Sequence, residues 1–273
     1  MNINDFARLW KEENALFNME QSPEFWDSRV EDFQRHVSGG FDTRKDKLLK
    51  FLEERNIFND ETQILDIGCG PGRYSSEFAK RAKQVTGIDI SSKMIQYAKR
   101  NTANKYLNHA YYETVAWESV DLDARGWRKE YDLVFASMSP AISGGDALLK
   151  MCEASKGYCF MSGFIERKDE IGDQLYRTIC GGEPPRRGNN LYYALNILFL
   201  AGYYPEIIYH DTDLEQALTV EQAVETYCTQ LRWRKPVSAD MQKRIADYLS
   251  SVASNGLITE KSQTKLAWIF WTV

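Results

Sequence analysis

Between positions 64 and 73 the chain reads Ile-Leu-Asp-Ile-Gly-Cys-Gly-Pro-Gly-Arg. A short apolar run leads straight into glycines at alternate positions, and a helical pattern follows. Further on, Val85-Thr86-Gly87-Ile88-Asp89 is a second apolar run that ends in an acid. Two buried strands joined through a glycine turn and a helix belong to a parallel α/β sheet. Alternate glycines let the backbone pass so close to a ligand that any side chain would collide. Asp89 lies 17 residues beyond Gly72 (89 − 72). That is about the spacing at which a carboxylate meets the ribose hydroxyls of an adenosine held at such a turn.

The turn also discriminates between adenosine cofactors. A dinucleotide fingerprint needs glycine at 68, 70 and 73, but Arg73 occupies the last position and the third glycine is Gly72. Asp66 stands two residues before the first glycine. A pyrophosphate there would meet a carboxylate of its own sign, whereas an ammonium group would be attracted. No Gly-Lys-Ser/Thr follows, which argues against a P-loop.

The run LDIGCGPGRYSSEFAKRAKQVTGIDISSKMIQYAKRN, ending at Asn101, resembles the first motifs of the Rossmann-like S-adenosylmethionine-dependent methyltransferases. The likeness extends more loosely over residues 60–165. It implies a doubly wound, mostly parallel seven-stranded α/β sheet with its last strand inserted antiparallel. It implies S-adenosylmethionine as cofactor and S-adenosylhomocysteine as product. By position, Asp66 would orient the methionine amino group, and Gly68, Cys69, Gly70, Gly72 and Arg73 would form the loop against the methionine portion. Asp89 would take both ribose hydroxyls, with Ile90 and Met94 as an apolar wall beside the adenine. Relatives often carry an acid at the tip of strand three; Ala116 stands there instead, so backbone atoms of Ala116 and Trp117 would replace it.

Composition narrows the class. Hydrophobic residues make up 43% of 273, enough for one large domain with a sizeable core. A net charge of −5 argues against a nucleic-acid partner. No run approaches a membrane span, and the N-terminus has no apolar signal core. Five cysteines without a Cys-x-x-Cys pair fit a reducing cytoplasm, and three scattered histidines point to no metal site. Oligomeric state is not legible.

The expected organisation is one domain over 1–273. Residues 1–55 form a helical cap, with a helix opening at Ser22-Pro23. Residues 56–212 with 265–273 form the sheet core, and 213–264 form a helical insertion between the last two strands. Strands are expected at 110–115, 131–137, 157–162, 204–211 and 267–272, and helices at 91–100, 144–154 and 189–201. Residues 164–188 read as a long connection.

On the acceptor side, Ser137-Met138-Ser139-Pro140 ends strand four, where amino-group methylating relatives carry Asn/Asp-Pro-Pro-aromatic. DNA adenine or glutamine methylation is therefore not supported. Ser137 is placed beside the cofactor, and Ser139, Tyr193, Arg186 and Arg187 are candidates to hold an acceptor with an anionic group. Methyl transfer needs in-line approach more than a dedicated base, so no catalytic residue is assigned, although His36, His210 or one of the tyrosines could serve. The expected activity is methylation of a small molecule. A protein or RNA methyltransferase, and a non-catalytic cofactor-binding partner subunit, are the alternatives.

Overall fold

The computed structural model describes residues 1–16, 22–30, 33, 43–105, 107–184, 189–232 and 236–273. Seven strands form one sheet in the order β3-β2-β1-β4-β5-β7-β6. They are β1 (Gln63–Ile67), β2 (Gln84–Asp89), β3 (Ala110–Thr114), β4 (Tyr131–Ser137), β5 (Ser155–Asp169), β6 (Glu206–Thr219) and β7 (Leu257–Thr272). The first five run parallel, and β7 pairs antiparallel with both β5 and β6. Strand order reverses between β1 and β4, so a crevice opens at the carboxyl ends of these strands.

Period-two alternation sends neighbouring residues to opposite faces, which is why the strands read as continuous apolar runs. Ile64, Val85, Leu133, Phe135, Phe160, Trp268 and Phe270 pack under α3 (Thr43–Glu53) and α4 (Ser75–Phe78). The neighbouring helix α5 (Ser92–Ala103) closes Ile95 and Ala98 over Cys69 and Tyr112. On the opposite face, Leu65, Ile67, Ile88, Val134, Met161, Ile269 and Trp271 meet α1 (Ile3–Leu16), α7 (Gly145–Ala154) and α9 (Asn189–Leu200). Two further short helices are α2 (Pro23–Asp27), capped by Ser22 as its sequence predicts, and α6 (Leu122–Arg125).

The carboxyl ends of β5 and β6 and the amino end of β7 depart from expectation. These strands run far beyond the predicted 157–162, 204–211 and 267–272, as a three-stranded arm. Among the described residues of 213–264 the helices are α10 (Val220–Arg232) and α11 (Ala239–Val252), and those of 164–188 contain strand followed by α8 (Glu170–Cys180). The three helices bury Leu175, Ile179, Tyr227, Leu231, Ile245 and Leu249 against one face of the arm. The arm of β7 escaped the hydrophobic pattern because its inward face alternates Ile258, Glu260 and Ser262, all buried.

A polar cluster fills that face. Glu260 accepts from Gln216 Nε2 at 2.6 Å, and Asp169 accepts from Tyr227 Oη at 3.2 Å and from Gly172 N–H at 2.9 Å. Arg167 Nη2 lies 3.6 Å from both carboxylates. Two acids removed from water thus share one partly exposed guanidinium, an arrangement costly to break.

Candidate cofactor and acceptor site

The turn after β1 hangs from β2: the N–H groups of Gly68 and Cys69 both donate to Ile88 O, at 2.8 and 3.0 Å. Gly68, Gly70 and Gly72 have φ of +67°, +53° and +79°, a region that side chains with a Cβ enter at a cost. Their surroundings differ. A Cβ on Gly68 would fall 2.0 Å from Ser139 Oγ, and one on Gly72 would fall 3.1 Å from Ala98 Cα. A Cβ on Gly70 would meet nothing within 4 Å. Gly68 and Gly72 are therefore required by the protein's own packing, whereas Gly70 borders open space. That open side, next to a carboxylate, fits the close backbone approach that an adenosine cofactor needs.

The carboxylate is Asp89 at the end of β2. Its Oδ2 accepts from Gly70 N–H and its Oδ1 from Ser91 N–H, both at 2.9 Å. Burial raises its pKa, and these backbone donors oppose the rise. Ser91 in turn caps α5, accepting from Met94 N–H at 3.0 Å. From the opposite direction, Asp27 of α2 accepts from Ser91 Oγ at 2.5 Å and from Lys93 N–H at 3.2 Å.

Asp66 is buried at the end of β1, and its Oδ2 accepts from Ser75 Oγ at 2.5 Å. Desolvation is the main cause that pushes its pKa up to about 7; the Ser75 hydrogen bond opposes this and the charge of Asp89 adds to it. A cationic group arriving beside Asp66 would restore its ionised form. Beneath the loop, Tyr112 Oη bonds Thr102 Oγ1 at 2.8 Å, and its ring comes within 2.7 Å of where a Cβ on Gly87 would stand.

The other expected residues divide into two groups. Ile90 and Ala116 are partly exposed near the strand tips, and Met94 is buried under its own helix cap. Trp117 is a core residue: it is 2% exposed and its Nε1–H donates to Ala147 O at 3.0 Å. Lys150, which no sequence signal marked, holds this corner by donating to the carbonyls of Trp117, Glu118 and Val120 at 2.6, 3.1 and 3.2 Å. At the tip of β4, Ser137 Oγ bonds Ser162 Oγ at 3.0 Å. Met138 has φ of +54°, and its N–H donates to both Ser162 O and Ser162 Oγ at 3.1 Å. Ser139 Oγ accepts weakly from Ala141 N–H at 3.3 Å within the turn.

Beside this tip α1 and α9 form a roof on that face of the sheet, tied to each other and to the loop after β4. Asn14 Nδ2 donates to Ser143 O at 2.7 Å, tying α1 to the loop after β4. Tyr193 Oη and Asn189 Nδ2 both donate to Glu13 Oε2, at 2.7 and 2.9 Å, and Tyr193 stacks on the fully buried Trp10. The Glu13 contact and burial push the Tyr193 pKa up to about 12, so its hydroxyl keeps its proton. His210 stands away from the loop, its ring 4.0 Å from that of Trp268 on the β6–β7 side. Arg73 lies over Tyr74, 5.6 Å from the ring centroid. His36, Arg186 and Arg187 lie outside the described residues. Among the described residues no His, Cys, Asp and Glu group could hold a metal, and no helix is long and apolar enough to cross a membrane.

A glycine loop on a doubly wound sheet, with one acid before it and one at the next strand tip, defines a Rossmann-like domain for a nucleoside cofactor. Comparison with known proteins narrows this class. Residues 64–154 match the family model of a methyltransferase domain. The magnesium protoporphyrin IX methyltransferase ChlM of Synechocystis PCC 6803, solved with bound SAH, shares the fold with a TM-score of 0.53 and 14% identity. That match covers 89% of this chain and 96% of the other. An uncharacterized protein of Haemophilus influenzae is 23% identical over 98% of this chain and 97% of its own length. The 23S rRNA (uracil(1939)-C(5))-methyltransferase RlmD of Vibrio parahaemolyticus is 28% identical over 40% of this chain, and the match spans about a quarter (24%) of that protein. The fold is thus the Rossmann-like one of the solved ChlM structure, and residues 64–154, a third of the chain, match a methyltransferase domain.

Proposed function

We propose that the protein transfers a methyl group from S-adenosylmethionine to a small-molecule acceptor held between the glycine loop, the tip of β4 and the α1–α9 roof. The observation that carries this reading is the roof itself. Asn14 ties α1 to the loop that follows β4, and Glu13 ties α1 to α9 through Asn189 and Tyr193, so folded helices border the acceptor side. The acidic balance of the chain, −5, points the same way. RlmD acts on a uracil of ribosomal RNA, and its match extends over less than half of this chain, which supports a shared cofactor domain more than a shared acceptor.

In this reading Asp89 and the Gly70 backbone hold the ribose, and Asp66 with Ser75 receives the amino group. The cofactor supplies an electrophilic methyl group on a sulfonium. The protein's part is to orient the acceptor atom in line and to exclude water. Tyr193 keeps its proton, which it donates to Glu13 Oε2, and does not serve as a base. Arg186 and Arg187 keep their proposed role toward an anionic group on the acceptor.

The test has two stages. Calorimetric titration with S-adenosylmethionine, S-adenosylhomocysteine and NAD should show binding of the first two alone. Labelled S-adenosylmethionine is then offered with the low-molecular-mass fraction of a cell extract, with total RNA and with protein. Label in the first fraction supports the proposal, and label only in RNA or protein refutes it. Tight binding with no transfer to any fraction would favour a non-catalytic partner subunit.

A further inference from the structure

The N-terminus of α5 is completed by a residue from another part of the chain. A helix start leaves backbone N–H groups without partners. Ser91 satisfies Met94 N–H, and the carboxylate of Asp27, 66 residues before Lys93, satisfies Lys93 N–H. The same oxygen, Asp27 Oδ1, accepts the hydroxyl proton of Ser91. Ser91 N–H is meanwhile bonded to Asp89 Oδ1, whose second oxygen holds Gly70 N–H. One unbroken chain of hydrogen bonds therefore runs from α2 through Asp27, Ser91 and Asp89 to the glycine loop. The negative charge of Asp27 suits the positive end of a 12-residue helix, and it also reaches Asp89, whose pKa it raises. No residue of α2 is fully buried, and these contacts tie it to the start of α5.

We propose that Asp27 is a positioning residue for the cofactor: it clamps α2 onto the start of α5 and, through Ser91, sets the orientation of Asp89 toward the ribose. Closure of α2 and cofactor binding are then coupled, each favouring the other. This inference rests on the assignment of Asp89 to the ribose.

The experiment compares wild type, Asp27→Ala, Asp27→Asn and Asp89→Ala by calorimetry with S-adenosylhomocysteine and by amide exchange of residues 23–30 with and without it. Asn keeps the Oδ1 that takes both hydrogen bonds. Asp27→Ala should weaken binding about tenfold, the effect of one charged hydrogen bond, with Asp27→Asn recovering most of the loss. Ligand should slow exchange across α2 in wild type and Asp27→Asn but not in Asp27→Ala. Titrations are made well below the melting temperature of each variant, so that every variant is fully folded and global stability accounts for none of the difference. If Asp89→Ala weakens binding while Asp27→Ala keeps wild-type affinity and protection, the clamp is refuted and the ribose assignment survives. Wild-type affinity in Asp89→Ala would overturn both.

Discussion

Gly70 and Asp89 are 19 residues apart in the chain, and a 2.9 Å hydrogen bond from Gly70 N–H to Asp89 Oδ2 joins them. The loop that borders the open cofactor side is therefore shaped by the acid assigned to the ribose. Asp89→Ala should remove both the ribose contact and this brace. The expected result is a loss of S-adenosylmethionine affinity of about 1.5–3 kcal/mol, read by calorimetry. Unchanged affinity would refute the assignment.

Asp66 gives the cofactor site a pH dependence. Its folded pKa of about 7 lies above the ordinary 3.8, so the ligand-free folded state holds a proton that the unfolded chain releases. Stability without cofactor should then fall as pH rises from about 4 to 7 and level off above that. Affinity for a cofactor bearing an ammonium group should move oppositely, rising by up to about tenfold per unit until pH 7. Urea midpoints and titrations across this window check both trends. Asp66→Asn should flatten them.

Gly72 and Gly70 separate stability from binding. Gly72→Ala combines φ of +79° with a Cβ 3.1 Å from Ala98 and 3.3 Å from Tyr112 Oη, so it should cost about 1–3 kcal/mol in urea unfolding. Gly70→Ala meets no protein atom within 4 Å and carries only the left-handed backbone cost of about 1–2 kcal/mol. Its larger effect should be on cofactor affinity, because its methyl group enters the space assigned to the ligand. Equal affinity losses in the two variants would contradict the geometry.

Arg167 tests the arm. Arg167→Ala leaves Asp169 and Glu260 buried without their shared cation. The variant should lose about 2 kcal/mol or more, with increased proteolysis between residues 164 and 264. Removing the charges together, as in Arg167→Met with Glu260→Gln and Asp169→Asn, should restore part of the loss. No restoration would show that packing rather than charge holds the arm.

The loop of the site was legible in the sequence because its requirements are local. Positive φ calls for glycine, and the caps at Ser22 and Ser91 depend on atoms three residues away. The long β5–β7 arm was not legible. Its inward face carries Glu260, Ser262 and Asp169, polar residues that would mark an exposed segment unless their partners were known. Ser75 and Asp27 were missed for a related reason. Nothing about a serine nine residues after Asp66, or an acid at the end of a short helix, shows what it will touch. The sequence put Trp117 at the tip of strand three without showing where its ring goes, and the Ala147 carbonyl that receives its N–H placed it in the core.

By itself, the sequence determined the doubly wound sheet, the glycine turn and the two acids that bracket it. Strand runs, left-handed glycines and helix caps are set by hydrogen bonds and sterics within a few residues. Only the tertiary structure decided what surrounds that turn: Asp27 clamped on Ser91, the α1–α9 roof over the tip of β4, and buried charges in the arm. Those contacts join residues far apart in the chain, and their strength depends on burial and on which partner the fold brings within hydrogen-bond distance.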